Sequence, residues 1–280
     1  MKGREGICET IRELYETDWG NAITPEAALE PGLAGVRIFD EPLVGFGSAD
    51  DELFEKYKIT GVIGPWHMSP REWLPAAETV IALFFPFSET IRAANRAMKD
   101  LPAPAWLHGR IEGQNALNTF VARLKDRLAA DGTAVCVPSA DPRWAPLAAG
   151  RGITGYPEID EKTFGSRWSE RHAAYVCGLG TFALSKGLIT AKGIAGRFGS
   201  LLTAEKIDPD PRPYEGVYDS CIRCGACVGR CPVGAISLEN GKDHHTCWVF
   251  QEEMKVRFAP RYGCGLCQTG VPCECADPSA

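Results

Sequence analysis

Long hydrophobic runs are missing from this 280-residue sequence, and the longest uninterrupted apolar stretch is Val80–Phe85. A helix needs about 20 predominantly apolar residues to cross a bilayer, so we expect no membrane span and no membrane partner. The sequence begins without an apolar signal region, which favours a soluble cytoplasmic protein. Basic residues are in the minority, with 30 Lys and Arg against 36 Asp and Glu and a net charge of −6. This acidic balance argues against a large nucleic-acid surface, where a basic field is expected.

Cysteine is scarce through most of the chain. Only Cys8, Cys136 and Cys177 lie in the first 220 residues, whereas the other nine of the 12 cysteines fall between Cys221 and Cys275. A secreted disulfide protein would carry a signal region. Metal binding is therefore the better explanation for the crowded cysteines.

The hydrophobic pattern predicts an α/β domain. Thr79–Phe85 is a β-branched and aromatic run that ends at Pro86, as expected of a buried central strand. Helical spacing follows, and a strand–helix–strand crossover implies a sheet with helices packed on it. The other predicted elements are an amphipathic piece at Ile7–Tyr15 in an otherwise irregular first 75 residues, helices Ser88–Lys99, Gly113–Ala130 and 169–177, and strands Thr133–Val137, Leu184–Thr190 and Phe198–Thr203.

A domain boundary is predicted at Asp208–Pro213, where three prolines and two aspartates alternate before and around an arginine. Such a segment breaks regular structure and forms a stiff linker. We therefore expect an α/β domain over residues 1–210, arranged like an α+β sandwich, and a ferredoxin-like domain over residues 211–280.

The strongest motif is C-x2-C-x2-C-x3-C-P, formed by Cys221, Cys224, Cys227 and Cys231 before Pro232. In two-cluster ferredoxins the first three cysteines of this run hold one [4Fe–4S] cluster and the fourth holds the other. A zinc site is the alternative, but it typically offers two C-x2-C pairs and gives no reason for four cysteines in eleven residues.

A second cluster needs four thiolates, and the chain provides them in Cys231, Cys247, Cys264 and Cys267. The first cluster then needs one returning ligand, which is either Cys273 or Cys275. We favour Cys273, because the adjacent Pro272 stiffens the approach of the chain.

Two histidines, His244 and His245, come shortly before Cys247. A Rieske centre would require two histidines and two cysteines on one cluster. Because the thiolates already suffice, we interpret both histidines as solvated loop residues.

The cysteine order resembles the iron–sulfur half of the epoxyqueuosine reductase family, which is related to the reductive dehalogenases. In that family a lone Cys and a Y-G-C-x-x-C-Q segment follow the ferredoxin run, and Tyr262–Gln268 matches this segment. A second match is Glu170-Arg171 followed by Gly178-Leu179-Gly180, which is similar to the family's E-R-x-x-A-x-x-x-G-L-G. Together the matches cover roughly residues 165–275.

The resemblance implies an α/β domain that holds cobalamin and two [4Fe–4S] clusters that deliver electrons to its cobalt. In the family the Gly-Leu-Gly turn approaches the corrin ring, and glycine there leaves room for a flat macrocycle. The alternative is an ordinary helix C-cap. The corrin contacts that the resemblance implies are Gly178, Leu179, Gly180 and Thr181. Two further candidates are Arg197, which could pair with a corrin carboxamide or an acidic substrate, and Trp168, which could stack on the ring or on a substrate.

This sequence departs from the family at its proton donor, because Phe164 stands where an acidic residue is expected. It also lacks the family's final C-x3-C-P after Cys267. A replacement proton donor should lie near this position, because a donor must first be within reach of the substrate and only then needs a suitable pKa. The candidates are Asp160, Glu161, Glu170, His172 and Tyr175, of which His172 and Tyr175 share a helix face. A cobalt contact from Cys177 is a further option, although buried cysteine usually acts as a small hydrophobe.

These observations favour a corrinoid-dependent iron–sulfur oxidoreductase that acts on a small organic molecule. It would receive electrons from a low-potential donor such as a ferredoxin or flavodoxin. One alternative is an electron-transfer protein that reduces a separate corrinoid protein and has no substrate of its own. A second is a tRNA epoxyqueuosine reductase, which would bind tRNA in a salt-sensitive way.

Overall fold

The computed structural model of the protein describes residues 2–280. None of the helices in this range is both long enough and apolar enough to traverse a bilayer. The α-helices are α1 (Gly3–Tyr15), α2 (Leu53–Lys56), α3 (Pro70–Trp73), α4 (Glu89–Arg96), α5 (Pro104–Ala129), α6 (Glu170–Val176), α7 (Ala226–Gly229) and α8 (His244–Phe258). The strands are β1 (Leu43–Ser48), β2 (Thr79–Pro86), β3 (Val135–Cys136), β4 (Pro146–Leu147), β5 (Gly165–Ser166), β6 (Gly180–Phe182), β7 (Leu188–Thr190), β8 (Gly196–Thr203), β9 (Ile236–Ser237) and β10 (Gly241–Lys242). Short 3₁₀ helices occupy Pro31–Leu33, Pro138–Ala140 and Leu266–Gln268.

The main sheet has the strand order β1–β2–β8–β3, and each neighbouring pair is antiparallel. Every residue of β2 is buried, which explains its nearly unbroken apolar sequence and confirms the predicted central strand. Strands β2 and β3 run in the same direction with β8 between them. The predicted strand–helix–strand crossover therefore spans one intervening strand.

Strand β1 was not expected, because the first 75 residues read as irregular with short helices. Its sequence contains Gly45 and Gly47, and glycine weakens a strand pattern. The packing explains these residues: a Cβ at Gly45 would lie 2.4 Å from the carbonyl oxygen of Cys177, at the end of α6. The glycines thus allow α6 to rest directly on β1.

Helix α5 packs across the sheet and begins nine residues before its predicted start, at Pro104. Proline suits the first turn of a helix, where its missing N–H costs no hydrogen bond. The buried side chains of α5 include Phe120, which lies 5.0 Å from the ring of Trp19 and 5.0 Å from that of Phe85. This aromatic contact joins α5 and β2 to the chain after α1.

The segment Asp208–Pro213 has no helix or strand, as predicted, but it is fixed against the sheet. The backbone N–H of Asp210 donates to the Phe46 carbonyl at 2.8 Å, and its carboxylate accepts from the Phe46 N–H at 2.9 Å. Arg212 forms an ion pair of 2.7 Å with Asp51. The domain boundary between residues 210 and 211 remains a prediction. The linker at this boundary is packed against the sheet and is not free in solvent.

Candidate functional site

The first cysteine group consists of Cys221, Cys224, Cys227 and Cys273, which line one small cavity. Gly225 has φ +75 and caps α7, which lets the chain turn sharply between Cys224 and Cys227. Burial, followed by the charges of nearby cysteines, raises the pKa of Cys227 to about 11 and that of Cys273 to about 12. Crowded thiols of this kind suit a positively charged metal centre, because metal binding stabilises their deprotonated form.

The second cysteine group consists of Cys231, Cys247, Cys264 and Cys267, which line the wall of a larger cavity. Burial, followed by the charges of the other three cysteines, raises the pKa of Cys264 to about 12. Cys247 lies in the first turn of α8, and a 3₁₀ turn that follows Gly265 carries Cys267. Four sulfur ligands in two places fit the donor set of two iron–sulfur clusters.

Neither group is arranged around a single ion. Zinc would draw its sulfur ligands to about 2.3 Å from a shared centre. Within residues 2–280 no three His, Cys, Asp or Glu side chains are placed to hold one metal ion. Cys275 is exposed and lies outside the cavity of the first group, whereas Cys273 lines it. The choice of Cys273 as the last ligand thus agrees with its position, although the ligand set remains a prediction.

The loop of the second group is fastened to α4. The side-chain amide of Asn95 is fully buried and donates to the Cys264 carbonyl at 3.2 Å and to Thr269 Oγ1 at 3.1 Å. The guanidinium of Arg230 donates to the carbonyls of Thr269 at 2.9 Å and Met98 at 2.7 Å. These bonds hold the carboxyl-terminal cysteines against the amino-terminal sheet domain.

A cleft lies between the sheet and the second cysteine group. It comprises two adjoining cavities of about 550 and 540 Å³, each within the range of small-molecule sites. All four cysteines of the second group line the second cavity, whereas the first group lines neither. The residues shared by both cavities are Arg110, Arg171, Gly196, Arg197, Tyr262 and Gln268.

Glu170 lines the first cavity at the start of α6. Its Oε2 accepts a hydrogen bond of 2.5 Å from Ser200 Oγ, which in turn accepts one of 2.9 Å from Trp168 Nε1. The buried Oε1 has no partner within the described residues. Burial raises the pKa of Glu170 to about 7, so near neutral pH this carboxyl can both hold and release a proton.

Lys242 brings a positive charge to the second cysteine group. Burial acts against that charge, but Cys267 and Cys247 outweigh it and raise the pKa of Lys242. A cation beside thiolate ligands stabilises added negative charge. The surroundings of the two groups therefore differ. Among the described residues, Arg223 is the one cation that lines the cavity of the first group.

His172 and Tyr175 share a helix face as expected, since both rings contact Phe182, at 4.9 and 6.0 Å between centroids. Neither residue lines the cleft. The Nδ1 of His172 hydrogen-bonds with Ser169 Oγ at 2.7 Å, and burial lowers the pKa of His172 to about 3. Tyr175 is 9% exposed and packs against Tyr214. The structure thus places His172 and Tyr175 away from the cleft and leaves Glu170 as the one candidate of the five that lines it.

The Gly-Leu-Gly turn has the form of a helix C-cap, with Gly178 at φ +76. A Cβ at Gly178 would lie 2.7 Å from the Pro211 carbonyl, and one at Gly180 would lie 1.8 Å from the Ile189 carbonyl. Close backbone packing accounts for both glycines.

The rest of this turn is also structural. Thr181 is buried, and its hydroxyl accepts from the Ser220 N–H at 2.8 Å. Leu179 packs in the hydrophobic core, and the buried Cys177 thiol donates to the Val80 carbonyl at 3.4 Å. No residue of Cys177–Thr181 lines the cleft, so the corrin contacts expected of this segment find no support in its position.

Trp168 and Arg197, the other two expected cofactor contacts, do line the first cavity. Trp168 is only 2% exposed and stacks on Phe54, so most of its ring belongs to the core. The interpretation of His244 and His245 as solvated loop residues is wrong. Both belong to the first turn of α8 and are partly buried, and a helix there was not expected because no regular apolar spacing marks it.

Sequence reasoning missed Arg110 and Lys242 as cleft residues. Arg110 lies on α5, far along the chain from the cysteines, and no local signal marks it. Lys242 follows the tight turn at Gly241 and reads as an ordinary surface residue. Arg171 was part of the Glu-Arg motif, and that motif was the one available signal for a charged residue at this place.

One family model matches the sequence, and it is described as a 4Fe–4S binding domain over residues 214–237. This match contains the whole C-x2-C-x2-C-x3-C run and supports iron–sulfur binding there. No curated protein matches the sequence.

Several solved structures share the fold. Epoxyqueuosine reductase from Streptococcus thermophilus superposes with a TM-score of 0.54 at 17% identity, over 98% of this chain and 66% of that one. An epoxyqueuosine reductase with a tRNA-Tyr epoxyqueuosine-modified stem loop gives 0.54 at 18% identity, over 97% and 65%. The catabolic reductive dehalogenase NpRdhA in complex with 3-bromo-4-hydroxybenzoic acid gives 0.50 at 15% identity, over 98% and 36%.

These likenesses confirm, at the level of fold, the resemblance deduced from the cysteine order. The chain is a mixed α/β protein with a 4Fe–4S binding region towards its carboxyl end. It spans slightly less than two thirds of the length of the epoxyqueuosine reductase chains and about a third of the dehalogenase chain.

Proposed function

We propose that the protein is an iron–sulfur oxidoreductase that binds a corrinoid in the cleft and reduces a small organic molecule there. One observation carries the proposal: eight cysteines form two groups of four, and one group lines a cleft large enough for a ligand. The family match to a 4Fe–4S binding domain and the fold shared with reductases support it.

The first cysteine group would hold one [4Fe–4S] cluster and the second group the other. Bound clusters supply one-electron transfer at potentials that charge and hydrogen bonding adjust. The protein's part is to separate the two sites. Cys224 of the first group is exposed, as is Ile222, which follows Cys221 in the chain, whereas the second group faces inwards to the cleft. This arrangement suits a low-potential protein donor, such as a ferredoxin or flavodoxin, that docks at the first group.

The cleft residues also fit a corrinoid, which is a flat, largely apolar ring with amide side arms. Gln114, Asn118 and Gln268 offer amide groups, and Trp106 and Trp248 of the second cavity offer apolar faces. A corrinoid bound there supplies a cobalt centre that reaches a strongly reducing state. The chain itself holds the ring, limits the access of water and positions the substrate.

Glu170 is the residue we propose as proton donor in place of the acid that Phe164 replaces. It is the only one of the five donor candidates that lines the cleft, and Ser200 holds its carboxyl in place. Phe164 instead packs against His244, with ring centroids 5.5 Å apart. A reduction that consumes electrons also consumes protons, and a carboxyl with a pKa of about 7 can provide one near neutral pH.

The test is anaerobic purification after growth with cobalamin, followed by iron and cobalt quantification on the same sample. We expect roughly eight irons, as two [4Fe–4S] clusters require, and one cobalt per chain. A Cys8→Ser variant, changed outside both groups, should retain all the metal. Eight irons without cobalt would contradict the corrinoid enzyme and favour the electron-transfer protein that reduces a separate corrinoid protein.

A further inference from the structure

Three arginines of the cleft wall have no carboxylate partner. Arg110, Arg171 and Arg197 come from α5, α6 and β8, and all three line both cavities. None of them has an Asp or Glu oxygen within 4.0 Å among residues 2–280, whereas other arginines of the chain, such as Arg71 and Arg143, form ion pairs. Arginines gathered in a cavity without acidic partners are typical of sites that bind an anion.

The partners that these arginines do have are neutral. Arg197 donates from Nε to the amide oxygen of Gln114 at 2.9 Å. Arg110 donates from Nη2 to the Tyr262 hydroxyl at 2.7 Å. Each guanidinium has five N–H donors, so these contacts leave donors free to bind a ligand.

The like charges are also close enough to disturb one another. Burial, followed by the positive charges of Arg110 and Arg171, lowers the pKa of Arg197 to about 9. Glu170 also lines the first cavity, but among residues 2–280 it forms no ion pair with any of the three arginines, and its Oε2 accepts a hydrogen bond from Ser200. Arg110 and Arg197 therefore have no carboxylate ion-pair partner among residues 2–280.

Part of the remaining wall of the first cavity is apolar, although Glu170 and several Ser, Gln and Asn side chains line it as well. Leu117, Trp144 and Phe198 line it together with the arginines. A ligand that satisfies both parts of the wall needs a negatively charged head and an apolar body.

We propose that the substrate is a small organic oxyanion, a carboxylate or a phosphate ester, whose head is bound by Arg110 and Arg197 and whose body lies against Trp144 and Phe198. This inference rests on the proposed function of the cleft. It goes further in naming the chemical class of the substrate and the residues that select it.

The test is anaerobic isothermal titration of the protein with both clusters assembled, using benzoate, phenyl phosphate and the neutral benzamide as probes. We expect at least one of the two anions to bind about tenfold or more tightly than benzamide. Arg197→Gln should weaken anion binding about tenfold to a hundredfold and leave benzamide unchanged, because it removes a charged donor and keeps a polar side chain. Arg197→Lys should restore part of the affinity, and tighter binding of benzoate or of phenyl phosphate shows which head group the site prefers.

The matched control is Arg127→Gln, which changes an exposed arginine on the same helix as Arg110 but away from the cleft. It should bind all probes as the unchanged protein does. Iron content equal to that of the unchanged protein shows that a variant is folded, and Arg110→Gln provides a second test of the same site. Equal binding of benzamide and both anions would overturn the inference, and so would anion binding that neither arginine variant weakens.

Metal analysis separates this inference from the proposed function. A protein that lacks cobalt but discriminates anions keeps the oxyanion site and loses the proposed reaction. A protein that contains cobalt and reduces only neutral molecules keeps the reaction and loses the oxyanion site.

Discussion

The two cysteine groups contain four cysteines each but lie in very different surroundings. The first group lies at the surface, where Cys224 is exposed and Ile222 is 51% exposed. The second group lines a cleft that also contains Lys242 and three arginines. Burial, charge and access therefore differ while the ligands stay the same. On the proposed function, one group of four cysteines would serve as an entry point for electrons and the other as part of a reaction site.

The largest effect should come from removing a ligand of the second group. Cys247→Ser should lower the iron content from roughly eight to roughly four atoms per chain, because a [4Fe–4S] cluster needs four thiolates. Substrate reduction should then be lost with every electron donor. Iron quantification and an activity assay check this, and a variant that retains full iron would show that Cys247 is not a ligand.

Loss of the first group should be less severe. Cys273→Ser should also remove about four irons, but reduction driven by dithionite should persist because the second group is intact. Reduction driven by a ferredoxin or flavodoxin should fall sharply. Cys275→Ser is the matched control and should keep all the iron. If Cys275→Ser lost the cluster and Cys273→Ser kept it, the ligand choice would be reversed.

A substitution at Glu170 should change the reaction in the cleft and leave both clusters unchanged. With a pKa of about 7 this carboxyl is protonated below neutrality and ionised above it. A rate that depends on it should be highest at low pH and fall about tenfold for each pH unit above 7. Glu170→Gln should lower the rate by about 10² to 10⁴ and flatten this profile, with both clusters unchanged. A variant with the same pH profile as the unchanged protein would exclude Glu170 as the donor.

The smallest expected effect concerns the support of the second group. Asn95→Ala removes hydrogen bonds to Cys264 and Thr269 and leaves the N–H of Ala103 without its acceptor. The cost should be about 1–3 kcal/mol, the penalty for an unsatisfied buried polar group. Iron release from the second cluster on heating should begin at lower temperature, while the first cluster is retained. Asn115→Ala, on the exposed side of α5, should change neither.

Much of the chain could be predicted where local pattern determines the result. The run Thr79–Phe85 reads as a buried strand because β2 is covered on both faces. The ferredoxin run could also be read directly, since the spacing of its cysteines is set by the cluster that they hold. Strand β1 could not be predicted, because its glycines are explained by the close packing of α6 against it, and that is a tertiary contact.

The cleft was predictable only in part. Glu170 belongs to a sequence motif, and the structure places it at the cavity. His172 and Tyr175 lie on the same helix but pack against Phe182 and Tyr214, away from the cleft. The sequence alone does not show which face of this helix points towards the cleft. Arg110 lies on α5, far in the sequence from Glu170 and from the cysteines. Only the folded structure shows that it lines the cleft.

The most direct test of the account is electron paramagnetic resonance of the reduced protein loaded with paramagnetic cob(II)alamin. Only the second cysteine group lines the cleft, so its cluster alone should be broadened by the cobalt. The account predicts a broadened cluster signal in Cys273→Ser, which keeps the second group, and an unbroadened one in Cys247→Ser, which keeps the first. Broadening confined to Cys247→Ser, or equal in the two variants, would contradict the assignment of the cleft to the second group.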